Sequence, residues 1–287
     1  PLSGLKKSLK VYYELKDTIK EHSFNPKLLI TKYAGHARKV VSELQSDQFE
    51  RILIFGGDGT VNEVVNGLYQ SDLCSFFPIG IIPTGSGNSV IHDIDCLDNN
   101  IALKKALSDD IRLMDVNKAI FDNEVRLSIS VIGWGMFSFG NVLAEKLRFL
   151  GTIRYDVASV VKLLEKTVYK ASISIDGEIS NISCAFMVGC NSIHTGKGMK
   201  IAPSGGFYDE MIDMVIVKDD VTRLQLVKVF KEVYTGKHTD LPYVHMSKVK
   251  SFSIDALKDS YFNVDGETIK SKKVSVQILP KTIKLLV

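Results

Sequence analysis

The sequence predicts a two-domain protein in which a parallel α/β domain is followed by a β-sandwich domain. Strand-like and helix-like runs alternate over the first hundred residues, as in a parallel sheet with helices on both faces. Beyond Met114 the pattern changes to many short β-like runs separated by turn signals, as in an antiparallel sandwich. Glycine-rich turns end two of the early strands. We therefore divide the chain into residues 1–114 and residues 115–287.

The first domain is predicted to contain three strands and four helices. Each strand is a short apolar run, and each helix has apolar residues at helical spacing. In chain order the predicted elements are a helix at 5–21, a strand at 27–33, a helix at 36–44, a strand at 51–55, a helix at 61–69, a strand at 78–83 and a helix at 99–109. Parallel sheets bind ligands at the carboxyl ends of their strands, so the turns after the last two strands form the candidate site.

The second domain is predicted from β-like runs that are separated by turn signals such as Asp176-Gly177 and Asp265-Gly266. The runs lie at 116–121, 125–132, 170–176, 182–189, 211–217, 249–255, 261–267 and 272–279, with helical interruptions at 143–166 and 222–235. The number and brevity of these runs indicate a sandwich.

The composition of the chain excludes several classes of protein. Apolar residues make up 45% and charged residues 24%, and no apolar run approaches the roughly 20 residues that span a bilayer. A formal charge of +3 is too small to indicate nucleic-acid binding. The first residues lack the apolar core of a signal peptide, and the four cysteines lack metal-ligand spacing. These features favour a reduced, cytoplasmic setting.

The first glycine turn follows the strand at 51–55 in the stretch FGGDGTVNEVVNG, residues 55–67. Gly56, Gly57 and Gly59 let backbone N–H groups approach a ligand, and the helix that follows begins with partial positive charge. Such a turn suits phosphate. Asp58 is the exception, because a carboxylate repels phosphate. Two roles explain it: a base that takes a proton from an attacking hydroxyl during phosphoryl transfer, or an N-cap of the following helix.

The second glycine turn, PTGSGNS, follows the strand at 78–83. It offers several backbone donors together with the hydroxyls of Thr84 and Ser86, which suit phosphate oxygens. Neither turn fits a Walker A loop or the pattern G-x-G-x-x-G. Because the two strands are neighbours in the predicted sheet, we expect both turns to face one crevice.

Seven segments, in order along the chain, resemble the diacylglycerol kinase catalytic-domain superfamily, and within it the sphingosine and ceramide kinases. They are PLSG at 1–4, TKYAGHARKVV at 31–41, GGDGTVNEVVNG at 56–67, PTGSGNS at 83–89, the stretch 130–156, GKGMKIAPSGGFYDEMIDMVIV at 196–217 and FNVDGETI at 262–269. The resemblance implies an NAD kinase-like or phosphofructokinase-like first domain. PLSG is similar to the end of the family's first phosphate loop, so we expect the family's first strand to precede Pro1.

The resemblance also implies a lipid kinase that uses ATP and Mg²⁺, with the nucleotide in the interdomain cleft and the lipid in the second domain. Asp58 would be the general base. The residues implied at the nucleotide are Ser3, Gly4, Thr31, Gly56, Gly57, Gly59, Thr60, Glu63, Thr84, Gly85, Ser86, Gly87, Arg148, Arg154, Asp265, Gly266 and Glu267. Asp265 and Glu267 would support magnesium or the nucleotide. Asp209 with Asp213 would hold a structural magnesium ion, or the two would be ordinary acidic residues of a β-turn.

The lipid site implied by the resemblance includes Trp134, Phe139 and Asn141. Sphingosine kinases carry an aspartate where this chain has Asn141, and a neutral amide does not pair with the ammonium group of sphingosine as a carboxylate does. A sphingoid base, ceramide and diacylglycerol therefore all stay open as substrates.

Further expectations concern partners and rival functions. An apolar stripe with lysines on the predicted helix at 143–166 fits a helix buried against the sheet, or a lid over the lipid pocket whose outer face contacts a membrane. Peripheral membrane contact is expected on the second interpretation, and a homodimer is open. The rivals are a soluble-substrate kinase such as an NAD kinase, and a catalytically silent lipid- or nucleotide-binding protein. The retained Asp58, Glu63, Asp265 and Glu267 argue against the silent protein.

Overall fold

A computed structural model of the protein describes residues 7–122, 124–136, 138–139, 165, 167–196 and 198–287. The described residues divide into two units. The first unit comprises residues up to 116 together with 194–198 and 279–287, and the second unit comprises 117–193 and 199–278. The predicted helix at 143–166 lies outside the described residues except for Glu165, so the proposed membrane-contacting stripe does too.

Six α-helices are described: α1 Lys7–Glu21, α2 His36–Ser42, α3 Asp58–Gln70, α4 Ser89–Asp93, α5 Asn99–Leu107 and α6 Arg223–Glu232. The described strands are β1 Ile52–Gly56, β2 Ile79–Pro83, β3 Ile111–Ile120, β4 Val125–Ser128, β5 Val131–Gly135, β6 Tyr169–Ile175, β7 Glu178–Cys190, β8 His194–Thr195, β9 Met199–Lys200, β10 Ile212–Lys218, β11 Val244–Val249, β12 Ser251–Val264 and β13 Glu267–Leu286. Among the residues that the structure describes, each helix is too short or too polar to span a bilayer.

The first unit contains the predicted parallel sheet. β1 pairs in parallel with β2, with Ile52 opposite Ile79, and Leu285 near the end of β13 adds a parallel neighbour on the other side of β2. Helix α1 forms because its apolar residues recur every four positions, and Val11, Leu15 and Ile19 pack with residues of β2 and α5.

The second unit is built from antiparallel pairs. β7 pairs with β5, β6 and β10, and β12 pairs with β5, β6 and β13. In β10, Ile212 and Met214 enter one apolar core while Val215 and Val217 enter a second core that α6 covers. Because both faces of the strand are buried, residues 214–217 form a continuous apolar run that does not alternate.

One predicted strand is wrong. Residues 27–33 form no strand, and Leu28, Leu29 and Ile30 are 41%, 47% and 43% exposed. A β-strand is stabilised by hydrogen bonds to neighbouring strands, and within the described part of the chain no strand pairs with this segment. The apolar composition alone produced the prediction.

His238 in the second unit makes stability depend on pH. Its ring is 1% exposed, Nε2 lies 3.0 Å from the Ile201 carbonyl oxygen, and burial lowers the pKa of the ring below 6.5. The unfolded chain therefore binds a proton more readily, so this contribution is complete above pH 6.5 and is lost as the pH falls below it.

We expect His238→Gln to reduce the acid-induced loss of unfolding free energy between pH 7 and pH 5 by about 1 kcal/mol. Urea unfolding at both pH values measures this. His22→Gln, at an exposed histidine, is the control and should keep the wild-type dependence. Equal pH dependence in wild type and His238→Gln would contradict the assignment.

Candidate functional site

The first glycine turn joins β1 directly to α3. Gly57 is the N-cap, and its carbonyl oxygen accepts the N–H groups of Thr60 at 2.9 Å and Val61 at 3.2 Å. A Cβ at Gly56 would lie 2.7 Å from that of Thr60, so only glycine fits. The helix begins at Asp58, which is therefore in the first turn of α3 and is not its N-cap.

The second glycine turn packs against the first. The N–H of Thr84 donates to the Gly56 carbonyl oxygen at 3.0 Å, and a Cβ at Gly85 would lie 2.4 Å from the Cα of Gly57. Asn88, at a φ of 55°, closes the turn by donating its side-chain amide to the Gly85 carbonyl oxygen at 3.1 Å. The two turns are therefore in backbone contact.

The Asp58 carboxylate lies at the junction of the two turns. Its Oδ1 accepts the backbone N–H of Ser89 at 2.7 Å, and its Oδ2 is 3.3 Å from the Ser89 hydroxyl. A Cβ at Gly87 would lie only 2.6 Å from Oδ2. Ser89 begins α4, so the start of this helix orients the carboxylate while the side chain stays partly exposed.

The other end of α4 is held by a residue that the sequence did not reveal. Asp93 Oδ1 accepts the backbone N–H of His194 at 3.1 Å. The ring nitrogen Nδ1 of His194 lies 2.5 Å from the same oxygen. The His92 and His194 rings lie 5.3 Å apart, and burial, followed by the charge of His194, lowers the pKa of His92. The Gly196 carbonyl oxygen would lie 3.5 Å from a Cβ at Gly87, so the segment after His194 borders the second turn.

Two residues implied at the nucleotide make hydrogen bonds within the fold. Thr84 is 4% exposed, and its hydroxyl lies 2.8 Å from that of Ser8 on α1. Glu63 accepts the N–H groups of Gly35 at 2.7 Å and Ala37 at 3.0 Å, at the start of α2. Gly59 and Ser86 are exposed, whereas Thr31, Thr60, Gly85 and Gly87 are partly buried.

In the second unit, Asp265 binds the backbone of the segment between β4 and β5. Its carboxylate accepts the N–H groups of Ile129 at 2.7 Å, Ser130 at 3.0 Å and Val131 at 2.8 Å, and the Ser128 hydroxyl at 2.9 Å. Gly266, at a φ of 95°, and Glu267 follow it and are exposed.

Trp134 and Phe139 lie in aromatic surroundings of the second unit. Trp134 is 1% exposed and donates its indole N–H to the Ser260 hydroxyl at 2.8 Å. The ring of Phe139 lies 5.2 Å from the rings of Tyr169 and Tyr261. The remaining implied residues, Ser3, Gly4, Asn141, Arg148 and Arg154, lie outside the described part of the chain.

Neither acidic position that the resemblance assigned to magnesium has the surroundings of a metal ligand. The Asp265 oxygens already accept four hydrogen bonds, and the Lys248 ammonium group contacts both Asp209 and Asp213. Within the described ranges, no group of three or more His, Cys, Asp or Glu residues could hold a metal ion. These residues do not fit a resident Mg²⁺ ion.

An aspartate between two touching glycine turns, at the carboxyl ends of parallel strands, is an arrangement suited to phosphoryl transfer. Residues 1–119 match the diacylglycerol kinase catalytic domain, and residues 130–287 match the YegS C-terminal NAD kinase beta sandwich-like domain. The chain therefore belongs to the lipid kinase family that combines these two domains, and it is a phosphotransferase. The predicted two-domain fold is confirmed.

Individual relatives are distant but cover almost the whole chain. Sphingosine kinase 1 of Arabidopsis thaliana is 23% identical over 340 residues, which cover 99% of this chain and 70% of the relative. Sphingosine kinase 1 of Homo sapiens is 23% identical, with 98% and 87% covered. The crystal structure of a diacylglycerol kinase from Bacillus anthracis str. Sterne has a TM-score of 0.71 at 20% identity and covers 98% of this chain and 91% of that one. The structural likeness supports the fold.

Proposed function

We propose that this protein transfers the γ-phosphate of ATP to a primary hydroxyl of a lipid alcohol, and that a sphingoid base is its first candidate substrate. The observation that carries the proposal is the position of Asp58, whose carboxylate is oriented by Ser89 where two phosphate-type turns meet. Ceramide and diacylglycerol are the alternative lipids.

Asp58 is the general base in this proposal. One carboxylate oxygen is oriented by a backbone N–H, and the side chain is partly exposed, so a substrate hydroxyl can reach it. The proton leaves the lipid hydroxyl as its oxygen attacks the γ-phosphorus, and the carboxylate accepts that proton. The bond from phosphorus to the bridging oxygen then breaks, and ADP leaves.

The glycine turns bind the phosphates in this proposal. Gly85 and Gly87 allow close approach because a side chain at either position would collide with the first turn or with Asp58. Ser86 is exposed at the tip of the second turn, where its hydroxyl can donate to a phosphate oxygen. Magnesium enters with ATP as part of the substrate and shields the negative charge of the phosphates from Asp58.

The lipid class is supported by the family and by its named relatives. Both sphingosine kinases named above align with almost all of this chain, whereas the catalytic-domain family is named for diacylglycerol. Asn141 keeps the choice open, because its amide lacks the negative charge that attracts the ammonium group of sphingosine. Ceramide and diacylglycerol have no ammonium group.

The test is a transfer assay with labelled ATP, magnesium and one lipid at a time in mixed micelles. Sphingosine, ceramide and diacylglycerol are compared, with NAD as a soluble acceptor. We expect label in one lipid at a rate at least tenfold above the other acceptors. Label in NAD alone would replace the proposal with a soluble-substrate kinase. An ATP-induced rise in Tm without transfer to any acceptor would replace it with a silent binding protein.

A further inference from the structure

The loop before β10 and the strand β11 form a small charged cluster in the second unit. Asp213 on β10 lies directly opposite Lys248 on β11, and Asp209 and Ser204 belong to the loop. The Asp213 side chain is 1% exposed, whereas those of Asp209 and Lys248 are 35% and 38% exposed. The cluster therefore has a buried carboxylate at its base and an opening to solvent.

The three N–H groups of the Lys248 ammonium match three oxygen acceptors in this cluster. Nζ contacts Asp209 Oδ2, lies 2.9 Å from the Ser204 carbonyl oxygen and lies 3.2 Å from Asp213 Oδ2. The second oxygen of Asp213 accepts the Ser204 hydroxyl at 2.8 Å, and that of Asp209 accepts the Met211 N–H at 3.1 Å. Every carboxylate oxygen of the cluster therefore has a donor.

The Lys248 ammonium group offsets part of the negative charge of the two carboxylates. Burial raises the pKa of Asp213, against the opposing effects of the Ser204 hydroxyl and the Lys248 charge. Desolvation acts to lower the pKa of Lys248, but its hydrogen bond to Asp209 and the charge of Asp213 outweigh this and raise it. A buried carboxylate without a cation beside it would be costly.

The oxygens that surround the ammonium group are of the kind that bind hard divalent cations: two carboxylates and a backbone carbonyl. We propose that Lys248 is the built-in cation of this loop, taking the place of a divalent ion, so that the wild-type protein has no structural metal at Asp209 and Asp213. Removal of the ammonium group then leaves a vacant oxygen cluster that accepts Ca²⁺ or, with less tolerance of geometry, Mg²⁺.

The test compares the Tm of wild type and Lys248→Ala in EDTA, CaCl₂ and MgCl₂, without nucleotide. We expect the wild-type Tm to be the same in all three solutions. In EDTA we expect Lys248→Ala to melt about 5 °C lower, and Ca²⁺ should recover at least half of that loss. Lys273→Ala is the matched control, because Lys273 forms an ion pair with Asp255 in which both side chains are exposed to solvent, and its removal should create no response to Ca²⁺.

Two results would overturn the proposal. One is a Lys248→Ala protein that folds but whose Tm is the same in CaCl₂ and in EDTA. The other is calorimetric binding of Ca²⁺ or Mg²⁺ to the wild-type protein that disappears in Asp209→Asn, which would place an ion at the cluster despite Lys248. The wild-type titration decides the question even if Lys248→Ala does not fold, and its expected result is no binding that depends on Asp209.

Discussion

Replacing Asp58 by asparagine is expected to lower kcat by a factor of about 10² to 10⁴ while the fold and the affinity for ATP are retained. Asparagine keeps an oxygen at the position where Oδ1 accepts the Ser89 N–H at 2.7 Å, so α4 stays in place. The amide cannot accept the proton of the attacking hydroxyl. The substitution therefore separates the two tasks that the geometry gives to this side chain, which are orienting α4 and accepting a proton.

The measurement is kcat with the lipid that the transfer assay identifies, together with Tm and calorimetric ATP affinity. Asp72→Asn is the matched control, because Asp72 is exposed at a φ of 57°, a conformation that asparagine also adopts readily. We expect it to retain wild-type kcat. An Asp58→Asn protein with wild-type kcat would show that the carboxylate only holds α4, and it would remove the general base from the mechanism.

Local pattern was sufficient for the glycine turns and most of the strands. The turn after β1 depends on consecutive glycines and on the apolar spacing of α3, which are adjacent in sequence. The short apolar run at 211–217 similarly predicted a strand, which is β10. The predicted helix at 61–69 is present but begins earlier, at Asp58, because Gly57 caps it.

The sequence pattern did not predict contacts between residues that are distant in sequence. His194 meets Asp93 across 101 positions, and neither residue belongs to a motif that names the other. Glu63 and Asp265 were assigned to the nucleotide from motif position, yet each accepts backbone N–H groups of another segment. An acidic side chain does not reveal from sequence whether its partner is a ligand or the chain itself.

The same limit explains the cluster around Lys248. The family resemblance assigned a structural magnesium ion, and hence a cation, to Asp209 and Asp213. The cation comes from a strand 35 residues beyond Asp213, and only the pairing of β10 with β11 brings it there. The sequence therefore predicted a positive charge beside these two carboxylates, but it did not show that Lys248 provides this charge.

The second large effect is expected from Gly87→Ala, which we predict to lower kcat about tenfold to a hundredfold. The added Cβ would lie 2.6 Å from Asp58 Oδ2, closer than real contacts allow, so the carboxylate or the turn must move. A displacement of about 1 Å at a reacting group is enough to produce a loss of this size. The measurement is kcat and the Michaelis constant for ATP, with Tm as a check on folding.

Gly206→Ala is the control for the general effect of replacing glycine, because a Cβ there would meet nothing within 4 Å and the residue lies outside both turns. It should keep wild-type kinetics. If Gly87→Ala raised only the Michaelis constant for ATP, the second turn would bind phosphate without fixing Asp58. Wild-type kinetics would mean that the carboxylate can shift freely and still catalyse, which contradicts a base oriented by α4. A fall in kcat at constant Tm is expected only if the contact between Gly87 and Asp58 sets the position from which the proton is taken.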